Sequence, residues 1–249
     1  IMKALQNKIA LVTGASKGIG AAIAIAFAAA GARVVVNYRQ DEVGAADVVS
    51  DIVNLGSEAV AVQADISLLR DVERLFATTA ECFGAPDIVV NNAGSFHHGE
   101  FAALTLEEMQ QQINVNLLGT LMVCQQAIRH FPAHGGSIIN LSALNSKNST
   151  PGSVLWAATK GAVDTLTQGL ARELGAKNIR VNALAPGMIL TEGLLAAKRM
   201  SPQLKAQLLA ATPLGRFGLP EDVAQVALFL ASEESAWVSG ERVMISGGA

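Results

Sequence analysis

Thr13-Gly14-Ala15-Ser16-Lys17-Gly18-Ile19-Gly20 follows the apolar run Ile9 to Val12 and opens an alanine-rich segment that ends near Ala30. A short apolar run, a glycine-rich turn and then helical periodicity make a strand, a turn and a helix N-terminus. Glycines at 14, 18 and 20 allow a tight turn and close backbone approach. The free N–H groups and the positive helix end then face an anion, and a dinucleotide pyrophosphate fits that description. Taken alone, the motif also reads as an ordinary strand-to-helix turn, so its surroundings decide.

The surroundings repeat the unit. Arg33 to Val36, Ala59 to Gln63, Ile88 to Val90, Ser137 to Leu141, Val181 to Ala185 and Val243 to Ile245 are short apolar runs bounded by turn residues. Helical segments alternate with them: Glu42 to Leu55, Leu69 to Phe83, Thr105 to His130, Val154 to Leu174, Pro202 to Ala211 and Pro220 to Ala231. Strands this apolar between helices predict an α/β fold: one doubly wound parallel sheet of Rossmann type with helices on both faces. Ligands then bind at the carboxyl ends of the strands. The longest irregular stretch, Pro186 to Ser201, follows a strand end and is expected to fold over a ligand, giving a lid-like segment near 186–211.

With 249 residues, 51% of them hydrophobic, one large domain is expected. Ile1 ahead of Met2 reads as a residue added before the natural start, so the domain is taken as 2–249. A net charge of -3 with scattered lysines and arginines argues against nucleic acid or an anionic membrane as partner. Cys82 and Cys124 lack metal spacing and are expected to be reduced, which suits the cytoplasm. No apolar run reaches membrane-spanning length.

The second strand ends in Asn37-Tyr38-Arg39, where an NAD-preferring site usually places an acid for the ribose 2′-hydroxyl. With no acid there, Lys17 and Arg39 are candidate donors to a 2′-phosphate, so NADPH is favoured and NAD is the alternative. Asn91-Asn92-Ala93-Gly94 lies just after the fourth strand at the ligand edge; a plain Asn/Gly turn reads equally well from those residues alone. Ser95, Phe96, His97 and His98 extend this loop. The paired histidines have no third ligand at metal spacing, so they are assigned to pocket lining or surface and no metal is expected.

Thr13 to Gly20, Asn91 to Gly94, Asn116, Lys160 and Pro186-Gly187 together resemble the short-chain dehydrogenase/reductase family over nearly the whole chain. The nearest look-alikes are its 3-oxoacyl-carrier-protein reductase and glucose dehydrogenase branches. The resemblance implies a cofactor cleft holding Ser16, Ile19, Ile66 and Ala93 besides the residues above. It puts Asp65 at the adenine, Asn91 and Gly94 at the adenosine and ribose side, and Ile189 and Thr191 at the nicotinamide carboxamide. Asn116 is to hold the water of a proton relay, and Lys160 is to bind the nicotinamide ribose and carry the relay onward. A homotetramer is implied as well, consistent with helices that are apolar over more than one face.

The family's centre is Tyr-x-x-x-Lys with a serine about thirteen residues before the tyrosine, and here the sequence departs. Trp156-Ala157-Ala158-Thr159-Lys160 puts an indole in the place of the acid, on the face it shares with Lys160. Counting back reaches Ala143; Ser142, one residue off, is kept as a candidate although at a strand end it should point the opposite way. Indole donates only and does not ionise near neutral pH, so general acid chemistry worth about 10²–10⁴ in rate is lost. Changes at both proton-handling positions read as deliberate substitution in an active carbonyl-reducing parent. Three functions follow: hydride transfer to an imine or iminium that needs no proton from the enzyme, carbonyl reduction with residual activity, and inert NADP binding. Phe96, His97, Ala143, Leu144, Asn145, Trp156, Met188 and Leu190 would line a mixed, mostly apolar substrate pocket.

Overall fold

A computed structural model of the chain describes residues 3–193 and 201–249. Its strands are β1 Ile9–Val12, β2 Arg33–Tyr38, β3 Ala59–Gln63, β4 Ile88–Asn91, β5 Gly136–Leu141, β6 Ile179–Pro186 and β7 Arg242–Ile245. They pair in parallel in the order β3-β2-β1-β4-β5-β6-β7, so strand order reverses between β1 and β4. That reversal leaves a crevice outside the carboxyl ends of the two strands, where a doubly wound sheet takes its ligand.

The helices are α1 Gly18–Ala29, α2 Glu42–Asn54, α3 Leu69–Cys82, α4 Leu106–Ile113, α5 Thr120–His130, α6 Val154–Leu174, α7 Pro202–Ala210 and α8 Pro220–Ala231. Strand side chains alternate between faces, and each face has its own core. Ile23 and Phe27 of α1, Ile52 of α2 and Leu230 of α8 pack against Val12, Val34 and Leu184 on one side. Leu75 and Phe76 of α3, Val123 of α5 and Leu174 of α6 pack against Leu11, Val89 and Ile138 on the other. The sheet is therefore covered on both faces, which its apolar strands require.

One expectation changes, and one falls largely outside the described residues. The helix foreseen from Thr105 to His130 is interrupted: Asn114–Gly119 form a π-helical turn between α4 and α5. The wider turn inserts a residue into the helical ladder, a device common at functional sites and without compositional signature. The lid-like segment near 186–211 is described only in part; β6 runs on through Pro186, α7 begins at Pro202, and residues 194–200 lie outside the described residues.

Candidate active site

Three polar side chains build the glycine turn, Thr13 and Asn37 buried and Asn92 half-buried. Thr13 Oγ1 donates to Val90 O (3.2 Å) and accepts from the Asn92 and Ala93 amides (3.0 and 3.1 Å). Asn92 Nδ2 donates to Thr13 O (2.9 Å) and Gly14 O (2.8 Å). Asn37 Oδ1 accepts from Gly14 N (3.2 Å), while its amide donates to Val62 O and Ala64 O. The loop after β4 is thus tied to the turn after β1, and each loop fixes the other.

The turn fits a dinucleotide. Gly14 and Gly18 hold φ of 61° and 58°, backbone that favours glycine. A Cβ at Gly20 would run into the Asn92 amide and the Gly14 carbonyl. Lys17, at the N-cap of α1, makes no side-chain cap, and the first turn carries no acid. Its N–H groups are left for an anion. The adjoining cleft, about 350 Å³, is lined by Gly14, Ser16, Lys17, Asn37, Arg39, Asp41, Asp65, Ile66 and Asn92 to Ser95.

At its outer end Lys17 Nζ pairs with Asp41 Oδ2 at 2.9 Å, and Arg39 lies 4.0 Å from Asp65. The Lys17 hydrogen bond, then the Gly44 amide, holds Asp41 below the usual carboxylate range. Asp65 accepts from the Ser67 amide and hydroxyl.

Not every candidate reaches this cleft. Tyr38 sits 8% exposed in the core with Ala45 and Val48, because it shares a face of β2 with Val34 and Val36, opposite to Asn37. Asn91, 4% exposed, turns inward: Nδ2 donates to Asn140 Oδ1 (2.9 Å) and lies 3.3 Å from Cys124 Sγ, while Oδ1 has no partner. Ile19 packs on the core below the turn. Asn92 and Thr13, which their motifs contain without a role of their own, do the linking instead; the paired spacing Thr13-Gly14 and Asn91-Asn92 at two strand ends was the available signal.

The candidate catalytic residues gather where α6, the π turn and the β5 and β6 ends meet. Asn116, fully buried, accepts from Ser95 N (2.7 Å) and donates to Ser95 O (2.8 Å) and Thr159 Oγ1 (3.3 Å), pinning the loop after Gly94. A Cβ at Gly94 would stand 3.4 Å from Asn116 Oδ1 and 3.8 Å from the Trp156 ring. Phe96 meets Trp156 edge to face with centroids 5.2 Å apart. Lys160 Nζ lies 4.8 Å from the Trp156 ring centroid and donates to Leu141 O at 2.6 Å. Burial lowers the Lys160 pKa from 10.5 to about 8, against the charge of Asp164, which raises it.

Ser142 Oγ donates to Lys160 O at 3.5 Å, and Ser142 is 4% exposed, so its hydroxyl is turned to the α6 backbone. Ala143 is extended and 7% exposed. Asn145 Nδ2 donates to Ser153 Oγ, and Leu144 lies by Gly187, whose amide donates to Ile245 O. Thr191 closes on the glycine turn, 3.3 Å from where a Gly18 Cβ would stand. Ile189 bridges to Gly218 and is buried, Leu190 donates its amide to Gly218 O, and Met188 stays partly exposed. His97 pairs with Glu108 at 3.3 Å, tying the Phe96 loop to α4. Among the described residues no three His, Cys, Asp or Glu side chains converge as a metal centre.

A glycine turn at the switch point, with a buried lysine four residues past an aromatic at its inner end, defines a dinucleotide-dependent oxidoreductase of the doubly wound class. Known proteins agree. A family model described as enoyl-(acyl carrier protein) reductase matches residues 14–249. An uncharacterized oxidoreductase of Methylorubrum extorquens is 44% identical over 247 residues, 99% of either chain. Versicolorin reductase 1 of Aspergillus parasiticus is 40% identical over 254 residues, 98% of this chain and 97% of its own. The solved structure of a short chain dehydrogenase from Burkholderia cenocepacia in complex with NADP matches with a TM-score of 0.92 and 36% identity over 98% of each chain. The chain belongs to the short-chain dehydrogenase/reductase family and is an NAD(P)H-dependent oxidoreductase.

Proposed function

We propose that this oxidoreductase uses NADPH to reduce a protonated imine or iminium carbon without a proton from a side chain. The observation that carries the reading is the contact of Trp156 with Lys160 at 4.8 Å, Trp156 being read as standing where the family sets a phenol. A bound reduced nicotinamide supplies the hydride. The chain's own residues do the rest. Lys17 and Arg39 would hold a 2′-phosphate, Asp65 and Ile66 would border the adenosine, and the buried Lys160 would lie beneath the nicotinamide end. The NADP complex of the Burkholderia relative supports the choice of cofactor.

A ketone that accepts hydride becomes an alkoxide, which needs a proton and hydrogen-bond donors. Ala143 offers a methyl group and Trp156 an indole, and the nearby Ser142 and Thr159 hydroxyls are engaged with the backbone of α6. An iminium carbon that accepts hydride becomes a neutral amine, so positive charge disappears and no oxyanion forms. The Phe96 ring can favour a cation at such a site, while the Lys160 ammonium already takes up a face of Trp156. Ala143 and Trp156 are read as substitutions in an active carbonyl-reducing parent.

Slow carbonyl reduction is the second reading, favoured by Lys160: an ammonium lowered to about 8 is a better acid than an ordinary lysine. The deciding measurement is NADPH consumption with a cyclic imine and with the matched ketone. Imine-dependent oxidation that exceeds the ketone rate supports the proposal. A ketone rate that exceeds the imine rate establishes the second reading, and binding without turnover establishes an inert NADP-binding variant.

We also infer a homotetramer. Between α5 and α6, Leu118, Leu121, Met122, Leu166 and Leu170 line an open groove of about 520 Å³, an apolar face that association would cover. A scattering mass of one chain would overturn this. A cytoplasmic location is proposed on the free thiols Cys82 and Cys124; among the described residues no helix is long and apolar enough to cross a membrane.

A further inference from the structure

The loop that carries Ala143 is held by a residue from the far end of the chain. Arg242 of β7 donates through Nη2 to Ala143 O (2.8 Å) and Leu144 O (2.9 Å), and through Nε to Ser146 Oγ (3.2 Å). The same Nε lies 3.1 Å from Asp164 Oδ2, with both side chains only 10% exposed. Ser146 Oγ donates to that carboxylate oxygen at 2.5 Å. Asp164 stands on α6 one turn after Lys160, on the same face. Its other oxygen, Oδ1, is buried with no hydrogen-bond partner.

We propose that Arg242 and Asp164 are a positioning pair, which seats the Ala143–Ser146 loop on α6 and sets the charge environment of Lys160 beneath Trp156. One guanidinium gathers two loop carbonyls, a loop hydroxyl and a helix carboxylate, so β7, the loop and α6 keep one geometry. The unpartnered Oδ1 leaves part of the Asp164 charge unanswered inside a dry site, where a neighbouring ammonium feels it strongly. Asp164 of its own helix is the charged group that acts on Lys160, with Arg242 of β7 behind that carboxylate, and the Leu141 carbonyl of β5 accepts its hydrogen bond. Stability cannot identify such a pair, because a buried ion pair is often no better than apolar packing. The charge on Lys160 can. The inference rests on placing Ala143 and Lys160 at the reacting corner, yet its test needs neither cofactor nor substrate, so a failed imine assay leaves it standing.

The chain has two tryptophans, and Trp237 is fully exposed, so Trp237→Phe in the full chain leaves Trp156 as the reporter. Its emission is followed against pH. In that background a transition centred at about 8 is expected, and Lys160→Met removes it. Asp164→Asn keeps the shape and deletes the charge, so the midpoint falls by about one pH unit. Should that variant not fold, Asp164→Ser serves with the same expected fall. Arg242→Lys keeps a cation but cannot span four acceptors, and amide exchange across residues 143–146 rises about tenfold. A transition that survives Lys160→Met, a midpoint unmoved by loss of the carboxylate, or loop exchange unchanged in Arg242→Lys overturns the proposal.

Discussion

The Lys160 ammonium is held between the Trp156 ring, 4.8 Å from its centroid, and the Leu141 carbonyl, 2.6 Å away, with no water-exposed route for its charge: the residue is 3% exposed. Burial depresses its pKa from 10.5 to about 8. Between those values the unfolded chain binds a proton that the folded chain does not, so this group makes stability rise with pH there. Below about 8 the full cost of burying the charge is present. Lys160→Met should therefore stabilise the cofactor-free protein at pH 7, by up to about 3 kcal/mol, and the gain should shrink as pH approaches 10.5. Urea unfolding at pH 7 and pH 10 checks this. A variant less stable than its parent at pH 7 would mean that the Leu141 hydrogen bond and the ring contact outweigh desolvation.

Discrimination between cofactors should reside in two exposed cations. Arg39 is loosely held, 4.0 Å from Asp65, whereas Lys17 is engaged by Asp41 at 2.9 Å. Arg39→Ala should weaken NADPH binding about tenfold and leave NADH nearly unchanged, with the NADPH preference fading as salt is raised. Asp41→Asn frees Lys17 and should strengthen NADPH binding, while the amide can still cap α2 through the Gly44 amide that Asp41 now receives. Equal affinities for the two cofactors in the parent would remove both expectations.

Asn92 should matter to both cofactors alike. Its amide spans Thr13 O and Gly14 O, so Asn92→Ala leaves two carbonyls of the glycine turn without that donor. A loss of about 1–3 kcal/mol in stability is expected, with binding of NADPH and NADH reduced by similar factors. A selective loss of NADPH binding would place Asn92 at the 2′-phosphate instead of under the turn.

What the sequence showed and what it hid follow from the range of each interaction. Strand runs such as Ala59–Gln63 and helices such as Val154–Leu174 and Pro220–Ala231 were legible to the residue, because period and turn signals are local. The π turn at Asn114–Gly119 was not, since it uses ordinary helix-compatible residues. At the site, the glycine turn and the Lys17 and Arg39 cations could be read from strand ends. Tyr38 and Asn91 could not be placed, because one residue of register moves a side chain from the cleft to the core. Arg242 was invisible as a partner of Ala143: 99 residues separate them, and the pairing of β5 with β6 and of β6 with β7 brings them together.

On the proposed reading of Ala143 and Trp156, installing a serine and a tyrosine there should exchange one chemistry for another. Trp156→Tyr places a phenol four residues before Lys160, and Ala143→Ser adds a hydroxyl on the extended backbone that Arg242 already fixes through the Ala143 carbonyl. Together they should raise ketone reduction by about 10²–10⁴, the contribution of a positioned acid. Tyrosine alone should give most of the gain, because serine by itself supplies no proton of suitable acidity. The same pair should not help an iminium substrate. No oxyanion forms there, and the change removes the indole face that Phe96 and Lys160 now flank, so kcat/KM for the imine should fall or stay level. An N-alkylated iminium, charged at every pH, should react with the present protein without acidic buffer, whereas an imine should react faster as the buffer falls below its own pKa. Parent and double variant are compared on one cyclic imine, its N-methyl iminium and the matched ketone, with NADPH oxidation as the readout. Equal or better imine reduction by the double variant would end the iminium reading, and a double variant that reduces no ketone would show that Ala143 and Trp156 are not the family's serine and tyrosine positions.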